Sequence, residues 1–264
     1  MISIVIPLYN SMNYIEKTIR SCLSQSYRDL EIIVVDDCSD DQSAKIVQRI
    51  MSEDTRVSYY CNEENLGVIK TINHGLKYCS GYYVIVLGND DILNEKHIET
   101  YLEYIKKKEY SFLYCSSDLI DENGVKFGEC KAENIEGHYS KLARYNPINA
   151  CGVMINYKYL KEVGFYPSNL GFRNCGEWYL WIELLHHENC AYVDEIKSLY
   201  RIHSSNLTKK LYSKKYIKET RLYSVMCMKQ ALQLEGVSTI DKIKYTIFRL
   251  AYNLKMQLLT ILTH

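Results

Sequence analysis

Leu30-Glu31-Ile32-Ile33-Val34-Val35-Asp36-Asp37-Cys38-Ser39-Asp40 is the stretch on which the fold turns. Its nearly unbroken β-branched run is the pattern of a strand covered on both faces, as strands of parallel sheets are. The acidic and hydroxyl residues that end the run supply turn and helix N-cap chemistry. Ala44, Ile46, Val47 and Ile50 then follow at helical spacing. Strand, loop and helix therefore read directly from residues 30–50.

The same unit recurs on either side. Ile2 to Pro7 is apolar, ends at a Tyr9-Asn10 turn, and is followed by Ile15, Ile19, Cys22 and Leu23 at three- and four-residue spacing. Val57 to Cys61, the turn Asn65-Leu66-Gly67 and the helical stretch Val68 to Tyr78 form a third unit. Tyr82 to Leu87 is a fourth buried strand, stopped by Gly88-Asn89-Asp90-Asp91. Four such strands alternating with amphipathic helices predict the α/β class, with a mostly parallel, doubly wound sheet and helices at the C-terminus. Ligands of such sheets bind outside the carboxyl ends of the strands. Those ends carry Tyr9-Asn10, Asp36-Asp37 and Asn89-Asp90-Asp91 here, so the crevice is acidic, and a phosphate-rich ligand in it calls for a divalent cation.

Beyond residue 110 the pattern turns mixed, with a short strand at Phe112 to Cys115, a hairpin signal at Glu122-Asn123-Gly124 and an apolar run from Gly152 to Asn156. The expected organisation is a ligand-binding half, 1–110, an α+β cover of the same domain, 111–208, and a helical region, 209–264. That last region carries eleven Lys/Arg against Glu219, Glu235 and Asp241, although the whole chain has a formal net charge of +0. Ile247, Leu250, Leu254, Leu258 and Ile261 make an apolar stripe there, opposite Lys242, Arg249, Asn253, Gln257 and Thr260. Such a helix suits peripheral contact with an anionic membrane surface. Docking on the domain and a dimer contact are the alternatives.

Composition excludes several classes. With 264 residues, 47% of them hydrophobic, the chain buries a large core, and it has neither low-complexity runs nor repeats. Its 10 cysteines form no C-x-x-C pair, which argues for reduced, mostly buried thiols in a reducing cytosol. Met1-Ile2-Ser3 enters a strand without the basic segment of a secretory signal, and no apolar run reaches bilayer-spanning length. Asn206-Leu207-Thr208 matches a glycosylation acceptor, which a cytosolic chain has no use for. Neither G-x-G-x-x-G nor G-x-x-x-x-G-K-[ST] occurs, against dinucleotide oxidoreductases and P-loop enzymes. The basic residues lie in an amphipathic tail rather than in a patch with stacking aromatics, against nucleic-acid binding.

Ile4 to Asn10, Glu31 to Asp40, Asn65-Leu66-Gly67, Leu87 to Asp91, Leu119 to Gly124, Gly176 to Trp181 and Tyr200 to His203, in this order, make residues 2–206 resemble the family 2 glycosyltransferases of GT-A fold. The resemblance implies an inverting, metal-dependent sugar transfer from a nucleotide-sugar, a UDP-sugar by expectation. The acceptor is a glycan or a polyprenyl-diphosphate-linked oligosaccharide, and the setting is the cytoplasmic assembly of a surface polysaccharide such as O-antigen or capsule. Residues 1–110 then become the nucleotide-sugar half and 111–208 the acceptor and catalytic half. Pro7, Tyr9, Asp37, Asn73, Asn89 and Asp90 are the expected nucleotide-sugar contacts, with Tyr9 stacking on the base and Asp37 bonding it.

Asp90 and His203 are the expected ligands of Mn²⁺ or Mg²⁺, which stabilises the departing diphosphate. Glu177, at the start of an amphipathic helix, is the expected base that deprotonates the acceptor. Each has a plainer reading, as a turn residue, a satisfied histidine and a helix-start acid. Arg201 is read either as a phosphate contact or as a surface salt bridge. Trp178, Trp181, Tyr145 and the Cys151-Gly152 region border the acceptor or, for Trp181 above all, pack the core. The chain departs from the family at Gly88, where the family's Asp-x-Asp begins, and at Glu177, where the family more often has Asp. These departures keep open a non-catalytic nucleotide- or glycan-binding homologue. A sugar nucleotidyltransferase is disfavoured, because Pro7-Leu8-Tyr9-Asn10 lacks the glycine-rich basic loop such enzymes carry.

Overall fold

Apolar runs that must be covered on both faces call for helices on both sides of one sheet, and that is the arrangement in the computed structural model of the protein. The structure describes residues 1–168, 176–206 and 217–234, together with 237–240, 242, 243, 246, 247 and 250. The chain begins β1 (Ile2–Leu8), α1 (Ile15–Leu23), β2 (Leu30–Asp36), α2 (Ser43–Glu53), β3 (Val57–Cys61), α3 (Val68–Leu76), β4 (Tyr83–Val86) and α4 (His97–Ile105). It continues with β5 (Phe112–Ile120), β6 (Lys126–Cys130), a 3₁₀ turn (Tyr139–Ala143), β7 (Met154–Asn156), α5 (Tyr157–Glu162), α6 (Glu177–Leu184), β8 (Cys190–Arg201) and α7 (Ile217–Ala231). Among the described residues one sheet has the order β3-β2-β1-β4-β7-β5-β6, with β8 also on β5.

The parallel arrangement holds for β3, β2, β1 and β4. Beyond β4 the sheet becomes mixed: β7 is antiparallel to β4 and β5, β6 is antiparallel to β5, and β8 returns parallel to β5. Alternation along each strand sends Ile4 and Ile6 to one core and Val5 to the other. One core takes α1, α2 and α4 through Ile19, Val47 and Ile98. The other takes α3, α6 and α7 through Ile69, Trp181 and Cys227. Trp178 and Trp181 are both buried in the latter, and Trp181 lies 5.1 Å from Phe112, so they are core residues rather than an acceptor border. Tyr145 is exposed and its hydroxyl donates to Glu133 at 2.7 Å.

The predicted hairpin lies between β5 and β6, where Asp121 Oδ1 accepts from the N–H groups of Asn123 and Val125. The nine described cysteines are free thiols, five of them buried. Cys175 lies outside the described residues. Within the basic C-terminal region, α7 docks on α6: Tyr223, Cys227, Met228 and Ala231 are buried, and the Tyr223 hydroxyl accepts from the Tyr179 N–H. Leu254, Leu258 and Ile261 of the apolar stripe lie outside the described residues.

Candidate active site at the carboxyl ends of the parallel strands

The loops leaving β1, β2 and β4 meet at one end of the sheet and hold each other in place. Asn10, in the left-handed region with φ 49°, donates its N–H to Ser39 Oγ and accepts from the Asp40 N–H through its side chain. Pro7 lies past Val5, the last residue β4 pairs, so its missing N–H breaks no ladder on that side. Tyr9 follows with 49% of its surface exposed, leaving its ring free to stack on a planar ligand.

The two carboxylates after β2 are largely turned inward. Asp36 accepts from the Ser39 N–H and from the Tyr59 hydroxyl at 2.8 Å. Burial, then this carboxylate, pushes the Tyr59 phenol above its usual range. Asp37 accepts from the N–H groups of Leu66 and Gly67 and from the Asn62 amide, at 2.7, 2.9 and 2.9 Å. Those three donors occupy most of its acceptor capacity, and only 4% of the residue is exposed. Asp37 thus anchors the Asn65-Leu66-Gly67 turn, where Gly67 supplies a φ of 85° at the entrance to α3. The Asn73 amide donates to the Tyr166 carbonyl at 2.8 Å and accepts from the Tyr166 N–H at 3.0 Å. It clamps α3 to the segment before α6.

At the end of β4 the Asn89 carbonyl accepts from Ser11 Oγ and Thr18 Oγ1, which fixes the loop. Asp90 Oδ2 then accepts from His203 Nε2 at 2.7 Å and from the Asn206 amide at 3.2 Å. The side chains of Asp90 and His203 are 17% and 9% exposed, so the pair is sheltered yet reachable. His203 Nδ1 bonds Ser205 Oγ, and its ring lies 4.7 Å from that of Tyr14. Asn206 also accepts from the His203 N–H and donates to the Arg201 carbonyl. Sequence reasoning treated Asn206 only as a glycosylation match and missed its structural part; no local pattern announces it.

Arg201 is no surface salt bridge. It is fully buried; Nε donates to the Asp90 carbonyl, and Nη1 donates to the carbonyls of Asp121 and Glu122. The guanidinium also lies 5.1 Å from the Tyr14 ring centre. It joins the β4 loop to the β5–β6 hairpin from beneath, as a positioning residue. The Arg201 N–H additionally bonds Asp91 Oδ1, and burial, reinforced by the charge of Asp90, pushes the Asp91 carboxyl well above the usual range.

Gly88 is now explained: a Cβ there would stand 2.8 Å from Asp91 Oδ2 and 3.0 Å from Asp90 Oδ1. Glu177 opens α6 at the helix's positive end, and its Oε2 accepts from the Gly176 N–H at 3.1 Å. Its charge also reaches Tyr166 and Tyr223, whose phenols are pushed up first by burial and then in part by this carboxylate.

The donor set fits a hard divalent cation. Asp90 and His203 bring one carboxylate oxygen and one imidazole nitrogen 2.7 Å apart. These are ligand types such an ion takes, and holding it here would replace the Nε2 proton that bridges the two side chains. No cluster of three or more metal-binding side chains exists among the described residues. An ion that keeps waters and substrate phosphates as ligands needs no more than the two. A cleft of about 950 Å³ lies against the outer face of α3, lined by Lys70, Asn73, His74, Lys77 and Phe165 among others. Of the expected site residues its lining contains Asn73 but none of Tyr9, Asp90, His203 or Glu177.

The chain is similar to known proteins. WfgD of Escherichia coli, a UDP-Glc:α-D-GlcNAc-diphosphoundecaprenol β-1,3-glucosyltransferase, is 28% identical over 79% of this chain and 79% of its own length. TuaG of Bacillus subtilis, a putative teichuronic acid biosynthesis glycosyltransferase, is 27% identical over 79% of this chain and 81% of its own. Other relatives are longer: the matched part is 36% of an uncharacterised glycosyltransferase of Rickettsia felis that is 29% identical. The structure of S. aureus TarS residues 1–349 with UDP-GlcNAc superposes with a TM-score of 0.74 at 18% identity, covering 96% of this chain and 72% of that one, which shows the GT-A fold. The family model described as glycosyl transferase family 2 matches residues 3–177, spanning the β1, β2 and β4 loops and reaching Glu177, and the chain belongs to that family.

Proposed function

We propose that the protein is an inverting, metal-dependent glycosyltransferase that moves a sugar from a UDP-sugar to a glycan or polyprenyl-diphosphate-linked acceptor. The observation that carries this reading is the sheltered Asp90–His203 pair at the end of β4, held by Asn206 and by the buried Arg201. Tyr9 stacks on the base beside Pro7, and the Asn89-Asp90 loop receives the diphosphate end. Asp90 and His203 hold Mn²⁺ or Mg²⁺, which when bound neutralises charge developing on the leaving diphosphate. Glu177 accepts the proton of the acceptor hydroxyl while that oxygen attacks the anomeric carbon from the face opposite the diphosphate. WfgD by its name uses UDP-Glc with a diphosphoundecaprenol-linked acceptor, which supports both the donor and the acceptor class, and TarS was solved with UDP-GlcNAc, in line with the donor class.

The setting is the assembly of a surface polysaccharide, O-antigen among the candidates, at the cytoplasmic face of a membrane. Among the described residues no helix is long and apolar enough to cross a membrane. Ile240, Ile243, Ile247 and Leu250 are 55–63% exposed at spacings of three and four residues, with Lys242 also exposed beside them. That apolar stripe in a basic segment suits shallow insertion next to anionic lipid, each basic residue adding about 1 kcal/mol. Co-sedimentation with vesicles containing anionic lipid tests this: Ile243→Asp/Ile247→Asp is expected to leave the protein in the supernatant, and unchanged pelleting sinks the idea.

Donor cleavage tests the chemistry. Purified protein is incubated with UDP-, GDP- and dTDP-sugars with acceptor lipid extract, with Mn²⁺ or with chelator. Metal-dependent release of UDP alone, lost in Asp90→Ala, is the expected outcome. Release that survives in Asp90→Ala or in chelator overturns the metal role.

A further inference from the structure

We propose that Cys38 and Cys61 form a modification site, a thiol pair that a peroxide converts to a reversible disulfide at the base of the nucleotide loop. Both thiols donate to a single oxygen, the Asn62 carbonyl, at 3.0 Å from Cys38 Sγ and 3.3 Å from Cys61 Sγ. Two sulfurs bonded to one atom are necessarily neighbours. The strands impose this, because Cys61 is in register with Asp36 across β2 and β3, and Cys38 comes two residues later. The backbone of Cys38 has φ 62°, in the left-handed region that a residue with a Cβ seldom adopts outside Asn and Asp. A cysteine there is held with its thiol aimed at its neighbour.

Reactivity divides between the two. Cys61 is exposed, whereas Cys22, Cys115, Cys151, Cys190 and Cys227 are buried in the core. The Cys38 thiol is pushed up by its surroundings, then by Cys61 and the Asp37 and Asp36 charges, which disfavours its thiolate. Cys61 therefore attacks first: its thiolate displaces hydroxide from hydrogen peroxide, giving a sulfenic acid, and its own proton turns that hydroxide into water. The Cys38 sulfur then attacks the sulfenic sulfur, the S–S bond forms, and the Cys38 proton leaves with the departing hydroxide as a second water. Two thiols lose two electrons and one peroxide gains them.

An S–S bond of about 2.05 Å requires both sulfurs to leave the Asn62 carbonyl. Cys38 lies between Asp37, which anchors the Asn65-Leu66-Gly67 turn, and Ser39, which holds Asn10. Cross-linking therefore shifts the Asn65-Leu66-Gly67 turn and the Tyr9-Asn10 loop and weakens nucleotide binding; this consequence, unlike the disulfide itself, rests on the function proposed above.

The test treats reduced, full-length protein with hydrogen peroxide, blocks remaining thiols with iodoacetamide, and maps peptides by mass spectrometry. The expected result is a linked Cys38–Cys61 peptide, reversed by dithiothreitol, absent in Cys61→Ser and retained in Cys79→Ser. Alkylated Cys38 beside a sulfinic or sulfonic Cys61, or Cys61 linked to another cysteine, overturns the proposal. Calorimetry with UDP and Mn²⁺ on the same samples is expected to show several-fold weaker binding after oxidation, restored by dithiothreitol. Unchanged affinity in cross-linked protein overturns the coupling. Failure of even the reduced protein to bind UDP counts against the proposed function, and the peptide map is read independently of it.

Discussion

Gly88→Ala adds one methyl group at the centre of the site. The backbone of Gly88 is not in the left-handed region, so space alone decides the outcome. The new Cβ would stand 2.8 Å from Asp91 Oδ2 and 3.0 Å from Asp90 Oδ1, whereas comfortable contact needs about 3.5 Å, so the carboxylates must withdraw by roughly half an ångström. Neither is free to do so. Asp91 is held on its other oxygen by the Arg201 N–H at 3.0 Å, and Asp90 on its other oxygen by His203 and Asn206. Overpacking of this kind costs about 1–3 kcal/mol.

Asp90 is the less buried of the two, so the strain goes mainly into moving it off its position beside His203. At about 1.4 kcal/mol per factor of ten, transfer then falls about 10- to 100-fold. The assay measures UDP release and sugar transfer against Mn²⁺ concentration, alongside thermal melting. Slower transfer, a higher Mn²⁺ requirement and a melting shift of a few degrees are expected. Gly88→Asp, which installs the family's more usual residue, is expected to do worse, because it crowds a third carboxylate against two. Wild-type transfer and metal requirement in Gly88→Ala, or a gain in Gly88→Asp, would refute the reasoning.

Glu177→Gln keeps an oxygen for the Gly176 N–H but removes the proton acceptor; transfer should fall about 10²- to 10⁴-fold with UDP affinity unchanged by calorimetry, and persistent transfer would assign the base elsewhere. His97 tests the acid side of stability. Its Nε2 donates to the Gly152 carbonyl at 2.7 Å, its Nδ1 is buried without a partner, and burial lowers its pKa from 6.5 to about 4. Between those values the unfolded chain takes up a proton that the folded chain refuses. Stability is therefore full above pH 6.5 and declines as pH falls toward 4, by up to about 3 kcal/mol. Asp91, whose carboxyl is pushed up, works in the opposite sense, so the readout is the comparison with His97→Gln, whose urea midpoint should change less across that window. Equal pH dependence in both proteins would show that His97 is not the responsible group.

The first half, residues 1–110, was legible because its information is local. The apolar runs at Ile2, Leu30, Val57 and Tyr82 became β1 to β4 within a residue or two, and the buried face of α1 is Ile15, Ile19, Cys22 and Leu23 as their spacing requires. The sheet beyond β4 was less legible, since the parallel return of β8 to β5 joins residues far apart in sequence and leaves no periodic trace. The same limit applied within the site. Polar clusters at strand ends located Tyr9, Asp37 and Asp90, but not where each side chain turns. Asp37 faces its own loop because three donors converge on it, and Asn73 faces Tyr166 because the segment before α6 passes across α3. Asn206 and Tyr14 gained their parts only from the packing of His203 and Arg201.

The bond between His203 and Asp90 spans 113 residues, and those from Arg201 to Asp90 and Asp121 span 111 and 80. Contacts of such high order form late, because chain-closure entropy is spent before they return any energy. The pairings of β1 with β2 and of β2 with β3, by contrast, close over 28 and 25 residues (Ile2 to Leu30, Ile32 to Val57), and these strands can assemble while the rest of the polypeptide is still being synthesised. The early half presents a folded sheet with an incomplete centre until β8 docks and carries His203 to Asp90. With the function proposed above, onset of metal-dependent UDP release during refolding is therefore a clock for the last folding step, and it should lag behind the recovery of helix and strand signal.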